Sequence, residues 1–391
     1  MQKIKVAVDL WNGYLKGIVF WFEDNKTVVL AKDLQKARWI KKWKIVDQLE
    51  LSESFWQMIK NFNNKLGGDY VDDIVLGISH PEMIMSRYAE NQRIMSDKIW
   101  HDDVANLLKV VSNLADKNNY EILKVNPVYR LIDDEFKTNE PIGMQWKKLE
   151  LVVDVFYIPR SFYQGIVDLA NHLQLNILDI VPNILWASEL TLDYDFRDLW
   201  TLLIDIWNNQ TSYAIYEDGY PKYYGIVPIW WENVTKDISI GMQIDIKTAE
   251  NLKIDYATIT NQEATWEDQL DIKFLEEIIS ARYLEIFEKI NNTLERLGKD
   301  GRLPWWVLLM WWGAKMKWID ILSKDVFQLS TSFAKNKVLP LWEFWNNLQF
   351  LNNIWVYYFQ EKFGNVGRWF KLNISFWQVG KIWKFLREAF F

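Results

Sequence analysis

The sequence predicts an α/β protein made of two similar halves that face a shared cleft. Two observations carry this prediction. A strand, an acidic residue, a tight turn and a second strand follow one another twice, about half a chain apart, in residues 6–20 and 202–216. Helical segments alternate with buried strands between and after these two copies. At 391 residues, the chain is long enough for two domains with large cores.

The two copies share residue types at one offset. Asp9, Trp11 and Asn12 in the first copy match Asp205, Trp207 and Asn208 in the second. Each acidic residue closes a buried strand just before a turn, so we expect both hairpin tips to project into the cleft. Residues 217–221, Glu-Asp-Gly-Tyr-Pro, indicate a further hairpin turn.

Three segments are predicted to be helices. Residues 52–64 and 102–116 carry apolar side chains at helical spacing, and residues 271–297 form a long, charged helical stretch. Residues 307–310 have the pattern of a buried strand.

Composition and charge exclude several classes of function. The absence of cysteine excludes a disulfide scaffold, a thiolate zinc site and a cysteine nucleophile. Three histidines at unrelated spacings disfavour a histidine metal site, and a net charge of −7 disfavours a general nucleic-acid binder. The first nine residues predict a strand rather than a signal peptide, and the longest apolar run is too short to cross a bilayer. We therefore expect a cytosolic protein.

Tryptophan and glycine have unusual frequencies. The chain has 24 Trp and only 16 Gly, where about 27 Gly are typical of this length. Many Trp stand in doublets or at turn tips, where positive φ or a close backbone approach favours glycine. A tryptophan-rich carbohydrate- or peptide-binding protein is the alternative, but its indoles are expected on concave faces. With glycine in place of Trp, these turns become phosphate-cradling loops.

With that substitution, the chain resembles the FtsA family of bacterial cell-division proteins, which belongs to the actin/Hsp70/sugar-kinase superfamily. The matching segments are the two phosphate loops (9–16 and 205–212), the loop that opens the second half of the nucleotide site (228–237), the adenosine motif (311–314), the Pro-Ile-Gly-Met segment (141–149) and an Arg-Gly turn (37–43). The last two segments are specific to FtsA within the superfamily.

The resemblance implies an α/β actin-like ATPase fold, with two lobes around a nucleotide cleft and the FtsA-type subdomain 1C. The implied order is subdomain 1A in 1–79, 1C in 80–158, 1A in 159–197, 2A in 198–236, 2B in 237–300, 2A in 301–350, 1A in 351–375 and a membrane-targeting amphipathic helix in 376–391.

The resemblance also implies that ATP and Mg²⁺ bind, with at most slow hydrolysis because no general base is evident. Asp9 and Asp205 are the implied metal-holding residues; a structural acid at a strand end is the alternative for both. The other implied nucleotide-binding positions are Trp11, Asn12, Gly13, Trp207, Asn208, Gln210, Thr211, Trp230, Trp231, Glu250, Lys253, Trp311, Trp312 and Gly313.

The chain departs from the family in one systematic way, since Trp stands where the family has Gly. The positions are Trp11, Trp39, Trp43, Trp146, Trp207, Trp230, Trp231, Trp306, Trp311, Trp312 and Trp318. We hypothesise that the gene uses UGA for glycine and that UGA has been read as tryptophan. A degenerate paralogue that lost nucleotide binding is the alternative. With indoles in the site, we expect poor ATP binding.

The C-terminal residues form a candidate amphipathic helix. Apolar side chains recur at helical spacing from 382 to 390, and three cations lie opposite them. The implied membrane-contacting residues are Ile382, Trp383, Lys384, Phe385, Leu386 and Phe390. A helix docked on the protein's own core is the alternative.

The resemblance implies a protein that tethers FtsZ filaments to the cytoplasmic face of the membrane at the division site. Its implied partners are the FtsZ C-terminal tail, further copies of itself in actin-like filaments, membrane lipids and other divisome proteins, but not nucleic acid. Arg282 is a candidate partner-binding residue in subdomain 2B. The alternatives are another actin-like ATPase, of pilus-assembly or rod-shape type, and a small-molecule kinase.

Overall fold

A computed structural model describes most of the chain before residue 335. The described residues are 4–10, 14–23, 26–36, 40–41, 44–68, 71, 73–138, 141–145, 147–206, 211–229, 231–258, 266–298, 306–310 and 318–334. The chain divides into two units, one of Met1–Trp186 with Leu339–Phe391, and one of Ala187–Val338. The segments expected as the last part of 1A and as the membrane-targeting helix lie outside the described residues.

The first unit contains two sheets and the helices that cover them. In chain order its elements are β1 (Lys5–Leu10), β2 (Tyr14–Glu23), β3 (Lys26–Lys36), β4 (Ile40–Lys41), β5 (Lys44–Ile45), α1 (Gln48–Leu66), β6 (Asp73–Ile78), β7 (Ile84–Arg93), α2 (His101–Leu114), β8 (Tyr120–Ile132), β9 (Phe136–Thr138), β10 (Lys148–Pro159), α3 (Arg160–Leu173) and β11 (Asn176–Pro182). Helix α4 (Asn183–Thr191) follows and contains the boundary between the units.

The main sheet of the first unit has the strand order β11-β6-β1-β2-β3. β1, β2 and β3 pair antiparallel, whereas β1, β6 and β11 pair parallel. Helix α1 packs on this sheet so closely that a Cβ atom at Gly17 would clash with Met58 Sδ. α1 confirms the helix predicted at 52–64 and begins earlier, because Asp47 caps it by accepting from the Glu50 N–H at 2.9 Å.

A second sheet in the first unit is antiparallel, with the order β7-β10-β8-β9. Helix α2 packs against β7 and β10, and the buried side chains between them include Val104, Leu107 and Val155. α2 confirms the helix predicted at 102–116. These elements occupy the range expected for subdomain 1C, and that assignment stays a prediction.

The second unit contains one sheet with helices. After α4 its elements are α5 (Tyr194–Asp198), β12 (Thr201–Ile206), β13 (Thr211–Glu217), β14 (Tyr220–Val227), α6 (Trp231–Gly241), α7 (Ile246–Thr258), α8 (Trp266–Arg296), β15 (Trp306–Met310), α9 (Ile319–Phe327) and β16 (Ser330–Phe333). The predicted helix 271–297 lies in α8, and the predicted buried strand 307–310 lies in β15. The predicted turn is formed by Asp218 and Gly219, both at positive φ.

The two main sheets repeat each other. The second has the order β14-β13-β12-β15-β16, so β12 corresponds to β1, β13 to β2, β14 to β3, β15 to β6 and β16 to β11. Pair directions agree at every step. Helix α1 packs on α3 as α8 packs on α9. The structure thus confirms the internal repeat at the level of topology.

Among the described residues, no helix has the length and hydrophobicity needed to span a bilayer.

Candidate functional site

The first predicted metal-holding residue, Asp9, is the next-to-last residue of β1. It pairs with Lys16 across the hairpin, and the two side chains are 2 % and 4 % exposed. Because strand neighbours alternate between faces and Gly17 faces α1, Asp9 and Lys16 lie on the sheet face opposite this helix. The first hairpin therefore carries a buried acid and a buried cation as cross-strand neighbours.

A residue far away in sequence holds the Asp9 carboxylate. Asn183, the first residue of α4, donates its Nδ2–H to Asp9 Oδ1 at 3.0 Å, and its side chain is also buried. Gly77 of β6 lies in register with Asp9 of β1 on one side and with Val181 of β11, two residues before Asn183, on the other. The strand between β1 and β11 thus has no side chain beside Asp9.

The second predicted metal-holding residue, Asp205, occupies the same position in β12. It pairs with Ser212, whose Oγ lies 3.5 Å from Asp205 Oδ2, and Asp205 is 1 % exposed. Thr211 is buried beside it and donates its hydroxyl to the Ile229 carbonyl at 3.3 Å. Burial raises the pKa of Tyr224 well above its ordinary value, and the negative charge of Asp205 adds to the shift. Tyr224 is therefore a neutral phenol near this carboxylate.

Carboxylate oxygens are the ligand type that Mg²⁺ takes in proteins, in small numbers and with phosphates and waters completing its shell. Each hairpin offers one buried carboxylate at the same register. Among the residues that the structure describes, three or more acidic or histidine side chains never cluster as a metal site. A single buried carboxylate in each half matches the small number of protein ligands that Mg²⁺ takes when phosphates and waters complete its shell.

Helices α6 and α7 bring the predicted Glu250 and Lys253 to Thr235. Lys253 Nζ donates to Thr235 Oγ1 at 2.6 Å and to Glu250 Oε2 at 2.7 Å. The Lys253 side chain is fully buried, whereas that of Glu250 is 39 % exposed. Lys253 therefore holds α7 on α6, and Glu250 is the member of the pair that solvent or a ligand can reach.

Arg282 joins α8 to α6. Its guanidinium forms two hydrogen bonds with the Asp237 carboxylate, at 2.7 and 2.9 Å, and a third with Glu285. The hydrogen bonds with Asp237 raise the pKa of Arg282 further above its ordinary range. Its charge is thus balanced within the chain by two carboxylates.

Most of the remaining predicted positions lie outside the described residues. These are Trp11, Asn12, Gly13, Trp207, Asn208, Gln210, Trp230, Trp311, Trp312 and Gly313, together with Ile382, Trp383, Lys384, Phe385, Leu386 and Phe390. Trp231 is the first residue of α6. The structure thus leaves these assignments as predictions.

The structure also adds residues that the sequence patterns missed. Lys16 could have been found from the hairpin register, because it lies opposite Asp9. Asn183 gave no sequence signal, because 174 positions separate it from Asp9. Trp200 has φ of +64°, which is a left-handed conformation that a bulky side chain rarely adopts. Trp318, in contrast, has φ of −117° and packs edge-on against Tyr283.

Comparison of sequences finds similarity to one family of cell-division proteins. Residues 202–349 match the family model for "Cell division protein FtsA". FtsA of Bacillus subtilis is 23 % identical over 352 residues, which cover 85 % of this chain and 79 % of that protein. FtsA of Buchnera aphidicola (subsp. Baizongia pistaciae) is 24 % identical, covering 72 % and 70 %. FtsA of Pseudomonas aeruginosa is 24 % identical, and the match spans 58 % of each chain.

Comparison of structures identifies the fold. The type IV pilus biogenesis complex PilM–PilN superposes with a TM-score of 0.56 at 12 % identity, covering 84 % of this chain and 87 % of the other. MreB5 of Spiroplasma citri bound to AMPPNP gives 0.52 at 12 % identity, covering 93 % and 97 %. The chain therefore has the predicted α/β actin-like ATPase fold.

Proposed function

We propose that this chain is an FtsA-type cell-division protein that binds ATP with Mg²⁺ and tethers FtsZ filaments to the cytoplasmic face of the membrane at the division site. One observation carries the nucleotide part: Asp9 and Asp205 are buried at the same register of two repeated sheets. The similarity to FtsA proteins supports the cell-division role over pilus-assembly, rod-shape and small-molecule kinase alternatives, because the pilus and MreB structures share only the fold.

In this proposal each of the two hairpins holds phosphates of the nucleotide. Asp9 and Asp205 would hold Mg²⁺ through its waters, and the ion would supply positive charge to the phosphates. Lys16 adds a cation beside Asp9, and Thr211 lies at the start of the strand after the second turn. Glu250 contacts the ribose, while Lys253 keeps the supporting helix in place. ATP acts mainly as a conformational and polymerisation ligand, with slow hydrolysis.

The proposal includes glycine, not tryptophan, at the phosphate-facing turns. Backbone N–H groups approach phosphates only where no side chain intervenes. The direct test is the gene: we expect UGA codons at Trp11, Trp207, Trp311 and Trp312. UGG codons there would reject the recoding hypothesis.

The protein-level test compares two full-length chains by calorimetric titration with Mg·ATP. One has Trp at positions 11, 207, 311 and 312, and the other has Gly at all four. We expect tight binding only by the glycine form, because the family resemblance implies that the four indoles would fill the space of the phosphates and adenosine. A glycine form with Asp205→Asn is the control for site-specific binding. Tight binding by the tryptophan form would reject the glycine proposal, and absence of binding by both forms would reject the nucleotide site.

The partner surface proposed for the FtsZ tail lies on α6 and α8 in the expected subdomain 2B. Ile240 is 77 % exposed and Phe274 is 45 % exposed, and Phe274 and Ile278 cover Gly241 between them. An apolar strip of this kind fits an apolar peptide segment. Arg282 borders it and is available to an acidic group only in competition with Asp237.

A binding assay with an FtsZ C-terminal peptide tests this surface. We expect Ile240→Ser and Phe274→Ser to weaken binding at least fivefold, since they remove central apolar contacts of the strip. Ile321→Ser is the matched control, because Ile321 is similarly exposed at 59 % but lies on α9. Equal effects of the three substitutions would contradict the proposed surface.

Membrane attachment is proposed to come from residues 376–391, with filament formation adding avidity to a short helix that binds weakly alone. Liposome co-sedimentation of the full chain and of a chain ending at residue 380 tests this. We expect the shortened chain to stay in the supernatant. Sedimentation of both chains to the same extent would count against the tether.

A further inference from the structure

We propose that Asn183 is a positioning residue for the nucleotide site: it fixes the Asp9 carboxylate in the orientation that receives the Mg²⁺ of bound ATP. This inference rests on the proposed function of Asp9. It adds to the site a residue that follows the edge strand β11 of the first unit's sheet, at the start of α4.

The hydrogen bond between Asn183 and Asp9 is buried and has good geometry. Asn183 Nδ2 lies 3.0 Å from Asp9 Oδ1, and the two side chains are 6 % and 2 % exposed. An amide N–H can only donate, so it matches an ionised carboxylate oxygen without adding a charge. A buried carboxylate held by such a donor keeps one orientation, and a ligand then meets it at a fixed position.

The sheet provides a route for this contact. β11 and β1 are separated by β6, which places their backbones about 10 Å apart. At the level of Asp9 the residue in β6 is Gly77, which has no side chain beside the carboxylate. In the second sheet the corresponding residue opposite Asp205 is Met310. A glycine beside the acid in the adjoining parallel strand is therefore found in the first half only.

The opposite end of β11 supplies an internal control for the amide–carboxylate chemistry. There, Asn176 donates its Nδ2–H to Asp73 Oδ1 of the neighbouring strand β6 at 2.6 Å, in an exposed position. Asn176→Asp thus makes the same chemical change against the same kind of partner. It differs from Asn183→Asp in lying at the opposite end of the sheet from Asp9.

The experiment measures ATP affinity of the full-length glycine form by calorimetry, once with Mg²⁺ and once with EDTA. Asn183→Asp removes the donor and places a second carboxylate against Asp9. We expect it to weaken Mg·ATP binding about 10-fold or more, the range found for residues that orient metal ligands. The comparison with EDTA is made on Asn183→Ala, which adds no charge that could repel the phosphates: its metal-free ATP binding is expected to change much less than its Mg·ATP binding. Asn176→Asp is expected to change neither affinity.

Asn183→Ala is the second variant, because it removes the donor without introducing a charge and guards against misfolding of Asn183→Asp. We expect it to weaken Mg·ATP binding by a factor between those of the parent and of Asn183→Asp. Its far-ultraviolet circular dichroism spectrum should be unchanged, which shows that the variant is folded. Equal losses of Asn183→Ala with Mg²⁺ and with EDTA would overturn the inference, as would equal effects of Asn183→Asp and Asn176→Asp on Mg·ATP binding. If the parent chain binds Mg·ATP and both Asn183 variants bind it equally well, the inference is overturned and the proposed function stands. A parent that binds no ATP would overturn both.

Discussion

Trp200 gives the sharpest test of the glycine hypothesis, because its backbone is described. It follows the short helix α5 with φ of +64°, the position at which helices commonly end on glycine. Elsewhere in the described residues, positive φ outside glycine occurs only at Asn, Asp and Gln. Trp200 is thus the one bulky side chain in that conformation among them.

The magnitude follows from comparing Trp200→Gly with Trp200→Ala. Both substitutions remove the indole, which packs partly on the core of the second unit, so the loss of that contact cancels. A Cβ atom in the left-handed region costs about 1–2 kcal/mol. Glycine loses more conformational freedom than alanine on folding, and this offsets about 0.5–1 kcal/mol of the cost of the Cβ atom. We therefore expect the Gly variant to be more stable than the Ala variant by about 1 kcal/mol.

Trp56 provides the opposite expectation as a control. It lies within α1, is 52 % exposed and has Lys60 Nζ 4.7 Å from its ring centre. In a helix interior, Ala is more stable than Gly by about 1 kcal/mol. At position 56 the Ala variant should therefore be the more stable one, and at position 200 the Gly variant. The Gly-minus-Ala difference in unfolding free energy should change by about 2 kcal/mol between the two positions.

Urea unfolding of the four variants measures these differences, as midpoint shifts at constant slope. If the Ala variant at position 200 is as stable as the Gly variant, positive φ does not determine stability at this position, and the prediction is wrong. The codon for residue 200 is an independent check, and we expect UGA.

Three further predictions concern stability. Burial raises the pKa of Tyr163 to about 12, and Glu121 adds to the shift. Because the ordinary pKa is about 10, the contribution of the neutral phenol to stability is fully present below pH 10 and is lost as pH rises toward 12. Tyr163→Phe should therefore reduce the fall in unfolding free energy over this pH range. Gly17→Ala should destabilise by about 1–3 kcal/mol, because the added methyl would lie within 2.7 Å of the Phe62 ring, and a chain of unchanged urea midpoint would contradict this packing. Arg282→Ala should cost about 1 kcal/mol and the cost should shrink at high salt, as expected for a partly exposed ion pair between α8 and α6; an effect independent of salt would point to packing instead.

The sequence predicted those parts of the fold whose signals are local. The repeat around Asp9 and Asp205 was visible because each copy combines a buried strand, an acid and a turn within about 15 residues. Helix α1 was found from its apolar spacing, but its first turn was missed because Asp47, a capping residue outside the apolar pattern, sets where it begins.

The parts that sequence reasoning missed depend on distant pairs. Asn183 lies near Asp9 because β11, which ends just before Asn183, is separated from β1 by one strand, β6, whose residue beside Asp9 is Gly77. The burial of Lys253 was likewise missed, because its partner Thr235 comes from a different helix. A contact across a sheet or between helices has no spacing rule in the sequence, so only the folded chain reveals it.

The repeated sheets place two acids alike, but the chemistry around them differs. Asp9 has a buried lysine opposite it and a carboxamide on one oxygen, whereas Asp205 has a serine hydroxyl opposite it and a neutral phenol nearby. A carboxylate beside a cation and an amide donor is held and partly neutralised, while one beside hydroxyl groups keeps more of its charge for a metal ion. Asp205→Asn should therefore weaken Mg·ATP binding more than Asp9→Asn does. Equal losses would mean that the shared register, rather than the surroundings of each acid, sets its contribution.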